Sequence, residues 1–345
     1  MKGRCALAEL KTSLWNCNFS HIYVEKEALN HEITKKILSH FKNSTFIEIN
    51  SYKEVFSRRC QSFSAQKNSP KLILAVKKEN FLYKGAEVCH DFGNSNFYYS
   101  SSIMNCIYDC EYCYLRGVYP SSNIVIFVNI EDTLKNVEDI LKKHPLYICI
   151  SYDSDLLALE NITGFTAMWI ELAKNNPNLK IEIRTKSANF KALGSFTPLN
   201  NVYIAWTLSP EEVITRFEKN TPSLKCRIES IKEAISKGWK IRLCFDPLLY
   251  IDSFERIYGK FIDYVFESIP KENISDVSIG VFRISKDYFK KMQKEYPSSL
   301  LLAYPFECSN GVLSYRKKHS EDMINFVYDK VSKYIEKEKI FTLEG

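Results

Sequence analysis

Cys106, Cys110 and Cys113 stand in the segment NCIYDCEYCYLRG with the spacing C-x3-C-x2-C. Thiolates ligate soft metal centres, so the first question is which centre this spacing suits. A structural zinc site closes four ligands, usually as two C-x2-C pairs or with paired histidines. Here there is one triplet and no second pair. A redox C-x-x-C would leave Cys106 unexplained. Three thiolates do suit an iron–sulfur cluster in which one iron carries no protein ligand. That open iron can take the amino and carboxylate groups of S-adenosylmethionine. One electron from the cluster then cleaves the adjacent C–S bond, and the 5′-deoxyadenosyl radical abstracts hydrogen from unactivated carbon. The other cysteines (Cys5, Cys17, Cys60, Cys89, Cys149, Cys226, Cys244 and Cys308) each stand alone and read as small buried hydrophobes.

The pattern around the triplet predicts the frame that holds it. Residues 20–65 read as a mixed, basic leader with a helix over Glu27–Phe41 and a short strand, FIEIN, at 46–50. The apolar LILAV follows at 72–76. From about residue 95, short apolar strands alternate with amphipathic helices. NFYYSSSIM (96–104) runs as a strand into the cysteine loop, and IVIFVN (124–129), LYICIS (146–151), KIEIRTK (180–186), NVYIAWTLS (201–209), WKIRLCFDP (239–247) and DVSIGVFRI (276–284) repeat the theme. Helices are expected over 131–144, 163–174, 224–237 and 254–269. Strands separated by helices of this length mean βαβ units and a parallel sheet. The expected fold is α/β: a partial (βα)6 TIM-like barrel over 95–290, with an N-terminal α/β extension over 1–94 that packs on it. A C-terminal hairpin turning at Ser309-Asn310-Gly311 and a closing helix to about Lys339 complete the chain over 291–345.

Composition bounds the function. The chain has 345 residues, 45% hydrophobic and 26% charged, the balance of a soluble globular enzyme rather than a disordered or fibrous chain. No apolar run approaches the roughly 20 residues that span a bilayer. The opening MKGRCALAELKTSLWNC places charges where a signal peptide would be apolar, so a cytoplasmic protein without membrane contact is expected. Net charge is 47 − 41 = +6, which permits an anionic partner such as nucleic acid.

Beyond the triplet, three stretches carry a resemblance: YKEVFSRRCQSFSAQKNSPKLILAVKKENFLYKG (52–85), NFYYSSSIMNCIYDCEYCYLRGVYPSSNIVIFVNIED (96–132) and LSPEEVITRFEKNTPSLKCRIESIKEAISKGWKIRLCFDPLL (208–249). The chain resembles the radical S-adenosylmethionine superfamily and, within it, the spore photoproduct lyase family, over roughly 22–335. The resemblance implies a bacterial DNA repair lyase with a [4Fe–4S] cluster and S-adenosylmethionine. Its substrate is DNA carrying the thymine photoproduct 5-thyminyl-5,6-dihydrothymine, which it returns to two thymines. It also implies an external electron donor of flavodoxin or ferredoxin type, and a monomer. Two alternatives remain open at this point: a radical enzyme with another substrate, and a non-catalytic iron–sulfur protein that binds nucleic acid.

By resemblance, Tyr112 and Tyr114 match a tyrosine pair at the cofactor and in radical transfer, Ser154 and Asp155 a Ser-Asp at the cofactor, and Lys186 a lysine at its carboxylate. Thr207 and Ser209 end the next strand and offer further polar contacts. Arg216, Glu218 and Arg227 read as architecture, with a helix starting after Thr221-Pro222. Relatives return hydrogen to the product from a cysteine in an Ala-Cys-Thr-Ser-Asp segment; this chain has Ser151-Tyr152-Asp153-Ser154-Asp155. Either Tyr152 takes that role, or Cys149 is brought in by a bulge, or the chemistry differs. In a regular strand Cys149 would face away from Tyr152. For the lesion, Tyr315, Arg316 and Lys317 at the C-terminal hairpin are the candidates, with Arg58, Arg59 and Lys67 as phosphate contacts.

Overall fold

The apolar runs LILA, IVIF and LYIC are buried at every position, as strands covered on both faces must be. The computed structural model describes residues 19–86 and 89–343, so Cys5 and Cys17 lie outside the described residues. Among these, one eight-stranded sheet runs in the order Ile340–Leu343, Ile274–Val281, Lys240–Leu248, Val202–Thr207, Leu179–Thr185, Leu146–Cys149, Phe97–Ser100, Leu82–Lys84. Its pairings are parallel except the last, where Leu82–Lys84 runs antiparallel along the edge. This is the partial barrel: six of the predicted strands stand in sequence order, with Ile340–Leu343 added at one edge and Leu82–Lys84 at the other. Across its gap, the rings of His90 and Phe92 lie 5.0 and 5.2 Å from Phe341. Inside, Arg242 binds Glu182 and Asp276 and donates to the Tyr147 hydroxyl at 2.6 Å, so a paired guanidinium fills the barrel floor.

A second sheet of five strands runs Thr45–Ile49, His21–Glu25, Leu72–Ala75, Ile124–Phe127, Ile103–Met104. Two expectations change here. Strand Ile124–Phe127, read with the barrel, pairs instead with Leu72–Ala75. A run buried on both faces fits the middle of either sheet, and its own pattern does not choose. NFYYSSSIM is likewise two strands: Phe97–Ser100 belongs to the barrel and Ile103–Met104 to the second sheet. The chain thus crosses between sheets at Ser101–Ser102, immediately before the cysteines.

Smaller corrections follow the same logic. The helix expected over 163–174 runs Phe165–Asn175, and an unexpected helix, Leu156–Thr163, precedes it, the two separated by Gly164 at φ 72°. The 27–41 helix is a short 3-10 turn followed by Glu32–His40. Helix Leu224–Ser236 is capped by Ser223, which accepts from the Cys226 amide, rather than by Thr221. The hairpin turns where expected, with Asn310 and Gly311 both at positive φ between Glu307–Ser309 and Val312–Ser314. The closing helix stops at Val331, and the chain returns as strand Ile340–Leu343. Among the described residues no helix is long and apolar enough to cross a membrane.

Candidate active site

The cysteine loop is clamped through its backbone. Asn105 turns the chain with φ 66°, and its amide donates to the Ser121 and Asn123 carbonyls, both at 2.7 Å. Lys67 Nζ, expected on phosphate, donates instead to the Cys106 and Tyr108 carbonyls at 2.7 and 2.8 Å. Arg116 Nε donates to the Cys110 carbonyl at 2.9 Å while its guanidinium pairs with Asp109 and stacks on Tyr296. Asp109–Cys110 also pairs antiparallel with Glu218–Lys219. Gly117 lets this segment approach helix Lys286–Glu295; a Cβ there would lie 2.5 Å from Tyr288 Cβ.

All three thiols line one cavity of about 1100 Å³, together with Tyr112, Tyr114, Cys149, Tyr152, Ser154, Asp155, Lys186 and Thr207. Its size exceeds a usual single-ligand pocket. The residues fit a cluster and its cofactor. Burial, with Asp155 nearby, pushes the Cys106 thiol up to about 12, and burial raises Cys110 too, so both need a metal to hold them as thiolates. Among the described residues no group of His, Cys, Asp or Glu converges on a single-ion site. A multi-iron cluster has no such need, because each thiolate binds a different iron. The Ser154 hydroxyl is buried without a hydrogen-bond partner, an acceptor and donor awaiting a ligand. Burial works against the Lys186 ammonium, but Cys110 and Glu218 hold it above its ordinary range.

The other expected contacts divide. Asp155 is occupied by structure: it caps helix Leu156–Thr163 through the Ala158 amide and accepts from Thr185 Oγ1 and the Lys186 amide. Ser209 does not line the cavity; its hydroxyl donates to Glu218 at 3.2 Å. Glu218 in turn accepts from the Tyr112 hydroxyl and pairs with Arg227 at 2.5 Å, all of them buried. The architectural pair therefore orients a cavity tyrosine. Arg227→Met would leave that carboxylate buried and unpaired, and is expected to cost about 3–5 kcal/mol, read from the guanidinium unfolding midpoint of the metal-free protein. An unshifted midpoint would contradict this.

Tyr114 donates to Asp153 Oδ1 at 2.7 Å and to the Tyr152 carbonyl at 3.1 Å. Strand Leu146–Cys149 stops at Cys149, so its alternation does not extend to Tyr152 and both residues face the cavity. A thiol meets Tyr152 from elsewhere in the chain: Cys89 Sγ lies 3.6 Å from the Tyr152 hydroxyl. Nothing in the sequence marks Cys89, a lone cysteine in an irregular loop. Tyr315, Arg316 and Lys317 do not line the cavity. Tyr315 is buried against Tyr304 and Phe306 and accepts from the Tyr250 amide, because its ring completes the hairpin's core. Arg316 and Lys317 are exposed and pair with Glu307 and Glu321.

Lys77 also lines the cavity, donating to the Ser101 carbonyl at 2.8 Å over the face of Phe127. Burial lowers its pKa to about 8, offset in part by Asp153. An ammonium so placed is charged below that value and neutral above it. Affinity for an anionic dinucleotide is expected to weaken as pH rises through about 8, and Lys77→Met to flatten that profile in titration calorimetry. A dependence that survives Lys77→Met would contradict this.

A family model described as spore photoproduct lyase matches residues 18–341. The spore photoproduct lyase of Clostridium acetobutylicum is 25% identical over 296 residues, covering 82% of this chain and 84% of that protein. That of a Geobacillus species is 19% identical over 202 residues, 57% of this chain and 59% of that protein. Among solved structures, a spore photoproduct lyase mutant with dinucleoside spore photoproduct superposes with TM-score 0.82 at 16% identity, over 95% of this chain and 98% of that one. A double mutant with bound AdoMet and the same dinucleoside gives the same score, identity and coverage. These structural likenesses carry the fold.

Proposed function

The chain belongs to the spore photoproduct lyase family, and from that premise we infer that it reverses 5-thyminyl-5,6-dihydrothymine in DNA to two thymines. One observation carries the reading: the three thiols, the unpartnered Ser154 hydroxyl and the Cys89–Tyr152 pair all face the same cavity. Cys106, Cys110 and Cys113 would hold a [4Fe–4S] cluster, and Ser154, Lys186, Thr207 and Tyr112 would hold S-adenosylmethionine. When bound, these groups supply a 5′-deoxyadenosyl radical for hydrogen abstraction at C6 of the lesion, after which the methylene bridge fragments.

The chain's own residues do the rest. Arg227 and Glu218 fix the Tyr112 hydroxyl, and Asp153 fixes that of Tyr114. Cys89 Sγ holds the hydrogen that returns to the thymine methyl radical, with the Tyr152 hydroxyl beside it as relay. The described residues before and after the barrel receive the flipped lesion, with Lys53, Lys77 and Val312 of the hairpin lining the cavity. Arg316 and Lys317, exposed next to the hairpin, meet phosphates. The protein acts as a cytoplasmic monomer, reduced by a flavodoxin- or ferredoxin-type donor.

The test is anaerobic reconstitution with iron and sulfide, then dithionite, S-adenosylmethionine and the dinucleotide photoproduct. Thymidylyl-thymidine is the expected product by chromatography. Formation of 5′-deoxyadenosine without it would retain a radical enzyme and discard this substrate.

A further inference from the structure

Part of the cavity wall comes from the five-stranded sheet rather than from the barrel. His21–Glu25, Thr45–Ile49, Leu72–Ala75 and Ile124–Phe127 run parallel. Glu25 and Phe127, together with residues 50–53 and 76–80 that follow two of these strands, line the cavity at their carboxyl ends. From His21–Glu25 the chain goes to Thr45–Ile49 on one side, whereas Leu72–Ala75 and Ile124–Phe127 lie on the other. Open parallel sheets bind ligands in the crevice where the strand order reverses in this way.

Buried side chains hold the crevice in shape. Glu25 accepts from the Tyr52 and Val76 amides at 2.6 and 2.8 Å, which ties the two loops together across the reversal. Asn129 accepts from the Lys77 amide and donates to the Lys77 carbonyl, both at 2.8 Å. The Lys77 side chain is left to the cavity. The residue is only 8% exposed, its ammonium lies 5.2 Å from the centres of the Tyr83 and Phe127 rings, and its one hydrogen bond goes to the Ser101 carbonyl. Among the described residues no carboxylate pairs with it. An ammonium has three donors, so two remain unspent, and a buried cation in that state calls for an anion.

Lys53 and Lys78 bring further ammonium groups to this wall, Glu79 brings one carboxylate, and Tyr83 a ring that is 36% exposed. Cations beside aromatic rings suit a nucleotide, with its phosphate on the former and its base on the latter.

We propose that this crevice is a subsite for the nucleotide that flanks the lesion in the same DNA strand, with its phosphate between Lys77 and Lys53 and its base against Tyr83. The proposal rests on the functional reading above, in which the lesion lies beside the cysteines. A lesion drawn out of a duplex brings its flanking nucleotides with it. The two unspent donors of Lys77 serve the phosphate within the lesion and the next one along the strand. A dinucleotide has only the first of these phosphates and leaves the subsite empty.

The experiment is titration calorimetry on the reconstituted protein with S-adenosylmethionine and no reductant, so that nothing turns over. The dinucleotide photoproduct is compared with two trinucleotides that carry one extra thymidine on its 5′ or its 3′ side. One trinucleotide is expected to bind about tenfold tighter than the dinucleotide, and the other with the dinucleotide's affinity. The tighter one should also show a salt dependence steeper by about 0.7 in the double-logarithmic slope, as one more phosphate contact on a single strand requires. In Lys53→Gln and in Lys77→Met the gain, taken as the ratio of the two affinities within each protein, is expected to fall several-fold and the extra slope to disappear. A general loss of binding or stability cancels in that ratio. Equal affinity for all three ligands, or a gain and slope that persist in both variants, would overturn the subsite alone. Failure of wild type to bind the dinucleotide photoproduct would instead overturn the functional reading, and the subsite with it.

Discussion

Cys110→Ala protein is expected to fold as wild type does and to hold no [4Fe–4S] cluster after anaerobic reconstitution. Each clamp on the cysteine loop acts without this thiol. Lys67 and Arg116 bind backbone carbonyls, Asn105 reaches across to Ser121 and Asn123, and the Asp109–Cys110 ladder to Glu218–Lys219 is main chain. The truncation removes one buried sulfur, a small cavity worth ~1 kcal/mol. It also removes one of three thiolates, and two cannot hold a site-differentiated cluster. Iron content, the electron paramagnetic resonance signal of the reduced cluster and 5′-deoxyadenosine formation should all fall to background. Circular dichroism should not change. An intact cluster signal would take Cys110 out of the ligand set.

The second large effect falls on Cys89. In Cys89→Ala protein, release of thymidylyl-thymidine should drop by more than an order of magnitude while S-adenosylmethionine cleavage continues, because the product radical forms and finds no thiol hydrogen. Tyr152→Phe keeps the stack on Tyr99 and the neighbouring thiol, so its loss should be smaller. Cys149→Ala should leave repair near wild type. Cys149 also lines the cavity, but it is buried at its strand end, and the thiol beside the Tyr152 hydroxyl is that of Cys89. Full repair by Cys89→Ala, with loss in Cys149→Ala, would reverse the assignment.

These two positions differ in how they were legible. The three cysteines proposed as cluster ligands lie within eight residues of chain, 106 to 113, so their spacing is itself the geometry of the loop. The parallel strands were legible for a similar reason: burial on both faces writes an unbroken apolar run, whatever the neighbours are. The hairpin turn was written in Asn310 and Gly311, because both positions require positive φ. Such signals are local, and a local signal survives in one dimension.

Partners distant in sequence leave no such trace. Cys89 and Tyr152 are 63 residues apart and meet only because the loop before Phe97–Ser100 lies over the end of Leu146–Cys149. Strand Ile124–Phe127 carried the right pattern but not its sheet, since hydrophobic burial has no direction and register is chosen by the partner. Lys67 read as a phosphate ligand because an isolated cation is the same residue whether it meets a phosphate or two carbonyls. Tyr315 read as an interface residue and is core, for its ring packs on Phe306 and its hydroxyl accepts from the Tyr250 amide. The sequence by itself determined that this chain builds a parallel α/β frame around a three-thiolate loop. Only the tertiary structure decided which thiol meets Tyr152 and which tyrosines stack against it, because those are contacts between segments whose separation in space no local pattern encodes.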